Sequence, residues 1–326
     1  MLYETWLSPA SQKIVDFLVP MENFTFETLK ATYDKFVADG VGMEFVRQIS
    51  NKFSVDHAGE EESVRSTEDF FIDSINDGYR IPTRLYSSEV GHESGILLFV
   101  HGGGGIQGDL DTHDRFCRRL VKALGTDVLA LDYRLAPEFR FPIQLKDVLS
   151  AYIWCVKKKG RSSRIIIAGD SAGGNLCAAL CLKLHEILYD RKPDVQILFY
   201  AALTSNFESP SFNVFRRGYA LTVDWIKYYN YLYTGEKLNN PDVSNNKYVY
   251  PLLAEDPGIF PRTIVVSAGC DILLDGQLEF IKKLESVNVP VHNINVAGAI
   301  HGFMNYGKEF GNEISEVMFS LAKLLR

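Results

Sequence analysis

The sequence is poor in cysteine, with five among 326 residues, at 117, 155, 177, 181 and 270, and no Cys-x-x-Cys pair. An odd number set mostly in apolar segments fits buried thiols, not a disulfide framework or a zinc site. No run of residues is apolar enough, for long enough, to span a bilayer. The N-terminal stretch MLYETWLSPASQKIVDFLVPM lacks the basic start and small-residue cleavage site of a signal peptide. Positive charge is also in deficit: 34 Lys and Arg face 41 Asp and Glu, for a net charge of -7. A nucleic-acid binder needs a basic face to release counterions, and an anionic membrane needs one to attract it. The expectation is therefore a cytoplasmic chain with no nucleic-acid partner and no stable membrane anchor. Internal repeats and low-complexity tracts are absent.

What is present is the balance of a packed globular protein, 46% hydrophobic and 23% charged. The length alone would divide into roughly two domains of about 150 residues, although one α/β domain with insertions absorbs it equally well. Ile14, Phe17 and Leu18 follow helical spacing, and residues 1–60 read as N-terminal cap helices ahead of a core at 61–326. Two alternating runs, 69–75 and 79–86, flank Asn76-Asp77-Gly78 and predict a β-hairpin. Short continuous apolar runs follow at 95–100, 127–131, 164–168, 195–199 and 263–267, with helical stretches between them. Strands of that kind are buried on both faces, so the fold class is α/β with a mostly parallel central sheet and helices on both sides. Residues 204–260, rich in aromatics, Asn and Pro, are too long for a connection; 204–250 reads as a cap insertion.

The strongest chemical signal is Gly169-Asp170-Ser171-Ala172-Gly173 between a strand and a helix. Glycines two positions either side of a serine permit the sharp turn that pushes its hydroxyl outward, while the helix N-terminus aims its dipole at the site. The second is His101-Gly102-Gly103-Gly104-Gly105 after the first parallel strand, where bare backbone lets amides approach a ligand oxygen. A phosphate cradle would need a P-loop Lys-Ser/Thr or a G-x-G-x-x-G spacing, and neither occurs. His101 reads as a residue that fixes this loop. A serine nucleophile needs a base and an acid, in the order Ser, Asp/Glu, His. His301 lies in a compact loop after the run 289–296, whereas His292 falls inside that run. Asp271 and Asp275, both after the strand 263–267, stay open as the acid, with a helix cap as the alternative role.

These motifs together resemble the hormone-sensitive-lipase-like family of α/β-hydrolase carboxylesterases. The resemblance runs from about residue 68 to the end of the sequence. It is carried by HGGGGIQGDLDTHDRFCRRL at 101–120, DYRLAPEFRFP at 132–142, GDSAGGNL at 169–176, SPSF at 209–212, GYALT at 218–222 and His301-Gly302-Phe303. It implies the α/β-hydrolase fold with a helical cap, Ser171 as nucleophile, Asp271 as acid and His301 as base. It implies Gly103, Gly104 and Ala172 as oxyanion-hole donors, with Gly102 in the same loop. The family's acid motif is like D-P-L-R-D-E-G, and here its first and fifth positions are kept as Asp271 and Asp275, which favours Asp271. Gly105 departs from the family, which places an aromatic residue there; its absence should open space on the acyl side. Phe207, Phe212, Phe215, Tyr219 and Trp225 are candidates to line the substrate pocket, the alternative being that they form the cap's own core.

The implied activity is a serine carboxylic-ester hydrolase acting through an acyl-enzyme on small to medium acyl esters, with no metal or organic cofactor. Two alternatives stand beside it. One is a non-catalytic ligand receptor on the same scaffold, as in gibberellin receptors that lack the triad histidine. The other is an amide or formamide hydrolase with the same triad. A homodimer is left open.

Overall fold

The computed structural model describes residues 3, 5–18, 23–89, 95–236 and 240–326. The apolar runs form strands β3 (Ile96–Val100), β4 (Asp127–Leu131), β5 (Ile165–Asp170) and β6 (Val195–Phe199), each buried along its whole length. Strand β7 (Arg262–Cys270) is buried beyond its first residue. Successive side chains alternate between faces: Leu97 and Phe99 enter one core, Ile96, Leu98 and Val100 the other. Burying each such side chain contributes about 1.5–3 kcal/mol, so both faces are held by hydrophobic packing.

The hairpin forms as β1 (Ser66–Asp73) and β2 (Arg80–Ser87), turning at Gly78, whose φ of 69° suits a residue without Cβ. With β8 (Val291–Ile300) the sheet has the order β1-β2-β4-β3-β5-β6-β7-β8. Pairing is antiparallel from β1 through β2 to β4 and parallel across the rest. One face is covered by α1 (Pro9–Leu18), α4 (Asp114–Leu124) and α11 (Gly311–Leu325), the other by α5 (Ile143–Lys159), α6 (Ala172–Glu186) and α10 (Leu274–Glu285). The mostly parallel, doubly covered sheet expected from the apolar runs is present. All five cysteines are buried, and none is in a disulfide.

Two further groups of helices complete the chain. Helices α2 (Phe26–Ala38) and α3 (Glu44–His57) precede the sheet, and α2 opens on a capping box between Thr25 and Thr28. Between β6 and β7 come α7 (Pro210–Val214), α8 (Val223–Thr234) and α9 (Pro241–Ser244). Helix α8 is framed by Thr222, whose side chain accepts from the Trp225 amide, and by Gly235 at φ 81°. Leu29 and Met43 meet Tyr228 and Leu232 in a small core of their own, which joins the N-terminal helices to the insertion. Helix α1 instead docks on the sheet edge, where Ser11 Oγ donates to the Gly298 carbonyl at 2.6 Å. Among the described residues no helix is long and apolar enough to cross a membrane.

Register places the site. Val100 pairs with Gly169, so β3 and β5 deliver the glycine loop and Ser171 side by side. Cys270 pairs with Ile300 beyond a register shift, so β7 and β8 deliver Asp271 and His301 as neighbours.

Candidate active site

Ser171 sits between the end of β5 and the start of α6 at φ 52° and ψ -116°, a backbone state costing a non-glycine residue on the order of 1–3 kcal/mol. The flanking glycines are required by contact. A Cβ on Gly173 would lie 2.0 Å from the Val100 carbonyl oxygen, and one on Gly169 would lie 2.5 Å from the Gly173 backbone. The turn is held by the Ser171 amide, which donates to the Phe199 carbonyl at 2.8 Å.

Three predicted residues meet. His301 Nε2 lies 2.8 Å from Ser171 Oγ, and its Nδ1 lies 2.9 Å from Asp271 Oδ2. Asp271 is fully buried, and its other oxygen accepts from the Leu273 amide at 2.9 Å, which fixes the carboxylate plane. A carboxylate can only accept, so Nδ1 carries the proton and Nε2 presents a lone pair to the serine hydroxyl. Tyr200 packs edge-on against the imidazole with centroids 5.0 Å apart.

Asp275, the other acid candidate, is committed elsewhere. It accepts from the Tyr3 hydroxyl at 2.7 Å and from the Ser211 amide at 2.8 Å, near the start of α7. It does not cap its own helix, because α10 begins after Leu273 without a side-chain cap. Ser211 Oγ in turn donates to the Ile272 carbonyl at 2.8 Å, buttressing the loop that carries Asp271.

The glycine loop lies against Ser171 through a group the sequence motifs do not single out. The Gly102 amide donates to Asp170 Oδ1 at 2.7 Å, so that amide is spent on holding the loop. His113 Nε2 lies 3.2 Å from the same oxygen, and Asn305 Nδ2 donates to the other at 3.3 Å. Burial alone would raise Asp170, but His113 and the Gly102 amide hold its carboxyl below the usual range. The signal was available: this aspartate directly precedes the serine within the elbow motif. His101 fixes the loop as expected, with Nδ1 2.8 Å from the Gly102 carbonyl and the ring stacked on Tyr133. Burial, and then His113, bring its pKa down to about 4, so the ring is neutral near pH 7.

Ser171 and His301 open into a cavity of about 740 Å³, whose wall includes Gly103, Gly104 and Ala172. Of the five aromatics proposed for the pocket, Trp225 lines it and the other four do not. Phe212 and Phe215 are sealed in the core, Phe207 packs edge-on against Phe212, and Tyr219 against Phe215, its hydroxyl donating to the Thr5 carbonyl. They join the large core on the face of the sheet covered by α1, α4 and α11, not a separate core of the cap. The walls come from α2 and α3, with Tyr33, Phe36 and Phe53, and from α8, with Trp225, Tyr229 and Tyr233.

The space expected beside Gly105 is also filled. A Cβ there would stand 2.8 Å from the Tyr233 ring, and one on Gly104 would stand 2.8 Å from Tyr229. Helix α8 thus supplies aromatic bulk over a loop that has none of its own.

A model of a family described by the alpha/beta hydrolase fold matches residues 97–305. The chain is similar to an ethyl acetate hydrolase of Pseudomonas putida, 31% identical over 244 residues that cover 72% of this chain and 74% of that protein. It is similar to an arylesterase of Saccharolobus solfataricus, 30% identical over 295 residues, 88% of this chain and 93% of the other. A solved arylesterase structure superposes with a TM-score of 0.83 over 98% of both chains at 27% identity.

Proposed function

Since the chain belongs to the α/β-hydrolase-fold family, in its hormone-sensitive-lipase-like branch of carboxylesterases, we propose that it cleaves esters through an acyl-enzyme on Ser171. The observation that carries this reading is the unbroken hydrogen-bonded line from Ser171 Oγ through His301 to the buried Asp271. As Oγ attacks the ester carbonyl, Nε2 of His301 takes its proton, and Asp271 holds the tautomer and stabilises the imidazolium. The carbonyl oxygen becomes an oxyanion facing the amides of Gly103, Gly104 and Ala172. Collapse expels the alcohol, which receives the proton from His301. Water activated by the same imidazole then attacks the acyl-enzyme, releasing the acid and restoring Ser171.

The cavity supports small to medium acyl esters. Its volume of about 740 Å³ and its lining of aromatic and aliphatic side chains suit an apolar ligand with one reactive polar centre. The names of the relatives, an ethyl acetate hydrolase and an arylesterase, point the same way. A receptor would have no use for an imidazole held against both a serine and a carboxylate.

Hydrolysis of p-nitrophenyl acetate, butyrate and octanoate by the wild type and Ser171→Ala tests the reading. Turnover on the shorter esters, abolished in the variant, is expected. A wild type inactive on all three, or an active Ser171→Ala, refutes it.

A further inference from the structure

We propose that Arg47 and Asn51 of α3 are positioning residues that hold the oxyanion-hole loop in its working geometry, so that turnover depends on the seating of this helix. The inference rests on the ester-hydrolase reading above.

The loop has little stiffness of its own. Gly103, Gly104, Gly105 and Gly108 all adopt positive φ, between 67° and 100°. Glycine is the residue with most backbone freedom to lose. Within the loop, the Ile106 and Gln107 amides both bond the Gly103 carbonyl, and Gly102 is tied to Asp170.

Beyond those ties, its polar restraints come largely from one face of α3. Arg47 Nε donates to the Ile106 carbonyl at 2.7 Å, and Nη2 to the Ala136 carbonyl at 2.8 Å. The Ala136 amide itself donates to the Gly105 carbonyl at 2.9 Å, so the guanidinium grips the loop directly and through a bridging segment. Glu138 fixes that guanidinium with bonds of 3.1 and 2.6 Å. One helical turn on, Asn51 Oδ1 accepts from the Gly108 amide at 3.3 Å, while its Nδ2 donates to Asp109 at 2.6 Å. Tyr229 and Tyr233 of α8 press on Gly104 and Gly105 from the insertion. The glycine turn is clamped between two segments that both lie outside the sheet.

An oxyanion hole works because its donors are placed before charge develops. A displacement of about 1 Å from productive geometry can cost roughly 100-fold. Helix α3 also walls the cavity through Val46, Ile49 and Phe53. Any movement of α3 that widens the cavity would therefore also release the loop.

The test compares the wild type with Arg47→Ala/Asn51→Ala, and with Gln48→Ala on the exposed side of the same helix. Turnover of p-nitrophenyl butyrate, inhibition by benzeneboronic acid (which forms a tetrahedral adduct on the serine) and thermal unfolding are measured for each. The double variant is expected to lose roughly 10- to 100-fold in kcat with KM changed by less than about 3-fold, and boronate binding should weaken in step. Gln48→Ala should match the wild type. A folded double variant with unchanged kcat and boronate affinity, or with a loss confined to KM, overturns the proposal. If the double variant does not fold, Asn51→Ala alone decides, with a kcat loss of a few-fold expected and an unchanged kcat overturning it. An inactive wild type would sink the ester-hydrolase reading itself, whereas an active wild type beside an unaffected variant sinks only this one.

Discussion

The carboxylate of Asp275 accepts a hydrogen bond of 2.7 Å from the hydroxyl of Tyr3, a residue 272 positions earlier in the chain. The same carboxylate takes the Ser211 amide, so it ties the N-terminal segment and the insertion to the start of α10. Asp271, four positions earlier, turns the other way and meets His301. Two acids that look alike in sequence thus have different tasks. Asp271→Asn should lower kcat about 1000-fold or more, because the imidazole tautomer is no longer held. Asp275→Asn should leave kcat within about 3-fold but cost roughly 1–3 kcal/mol of stability, as bonds to a charged group are lost. Steady-state rates and urea unfolding check both, and the opposite ranking in kcat would move the catalytic role to Asp275.

Tyr233 should set which acyl groups fit. Its ring occupies the position where a Cβ on Gly105 would stand. Tyr233→Ala removes that wall without touching Ser171, His301 or Asp271. The ratio of kcat/KM for p-nitrophenyl octanoate over acetate should rise about 3- to 10-fold, the scale of a few methylene groups gaining contact. An unchanged ratio would mean the ring does not border the acyl path.

Gly173→Ala should abolish the site. The added Cβ would lie 2.0 Å from the Val100 carbonyl oxygen and 2.5 Å from that of His101, both backbone atoms of the strand end that launches the glycine loop. Relief would push the loop and Ser171 apart. Soluble yield and turnover should both fall, turnover by about 100-fold or more. Near-normal activity would show that the elbow packs less closely than described.

Much of this is legible in the sequence alone. The parallel strands announce themselves because burial on both faces demands continuous apolar runs, and Ser171 because only glycine tolerates the contacts at 169 and 173. His301 was placed by its loop and chain order. Apart from Trp225, the aromatic walls of the cavity are not legible. Phe212 and Trp225 look equally suited to a pocket, and only the packing of α2 and α3 on α8 decides which faces the serine. Helix α8 is aromatic around most of its circumference, so periodicity assigns it no face: Tyr228 is buried toward Leu29 and Met43 while Tyr229 and Tyr233 press on the loop. Arg47 and Asn51, one turn apart, belong to no motif that marks them in the sequence.

Acid and base should act on stability through Asp132. Burial, with Asp109 and Asp111 nearby, raises its carboxyl from the ordinary 3.8 to about 7. The folded chain therefore binds a proton that the unfolded chain releases, and the stabilisation is complete below 3.8 and lost as pH rises through 7. Asp132→Asn removes the charge that the folded state disfavours. The variant should be more stable than wild type by on the order of 2–4 kcal/mol at about pH 8.5 and nearly equal at about pH 4. Urea unfolding at both values decides it, and an equal difference at the two would remove Asp132 as the titrating group.

The central claim is a covalent acyl-enzyme on Ser171. It is tested most directly by rapid-mixing kinetics with p-nitrophenyl acetate, followed by mass spectrometry of the acid-quenched protein. The account predicts a burst of p-nitrophenol close to one equivalent per chain if deacylation is the slower step, an acetyl group on the peptide carrying Ser171 and no adduct in Ser171→Ala. Turnover retained by Ser171→Ala, or an adduct on another residue that survives Ser171→Ala, would contradict it.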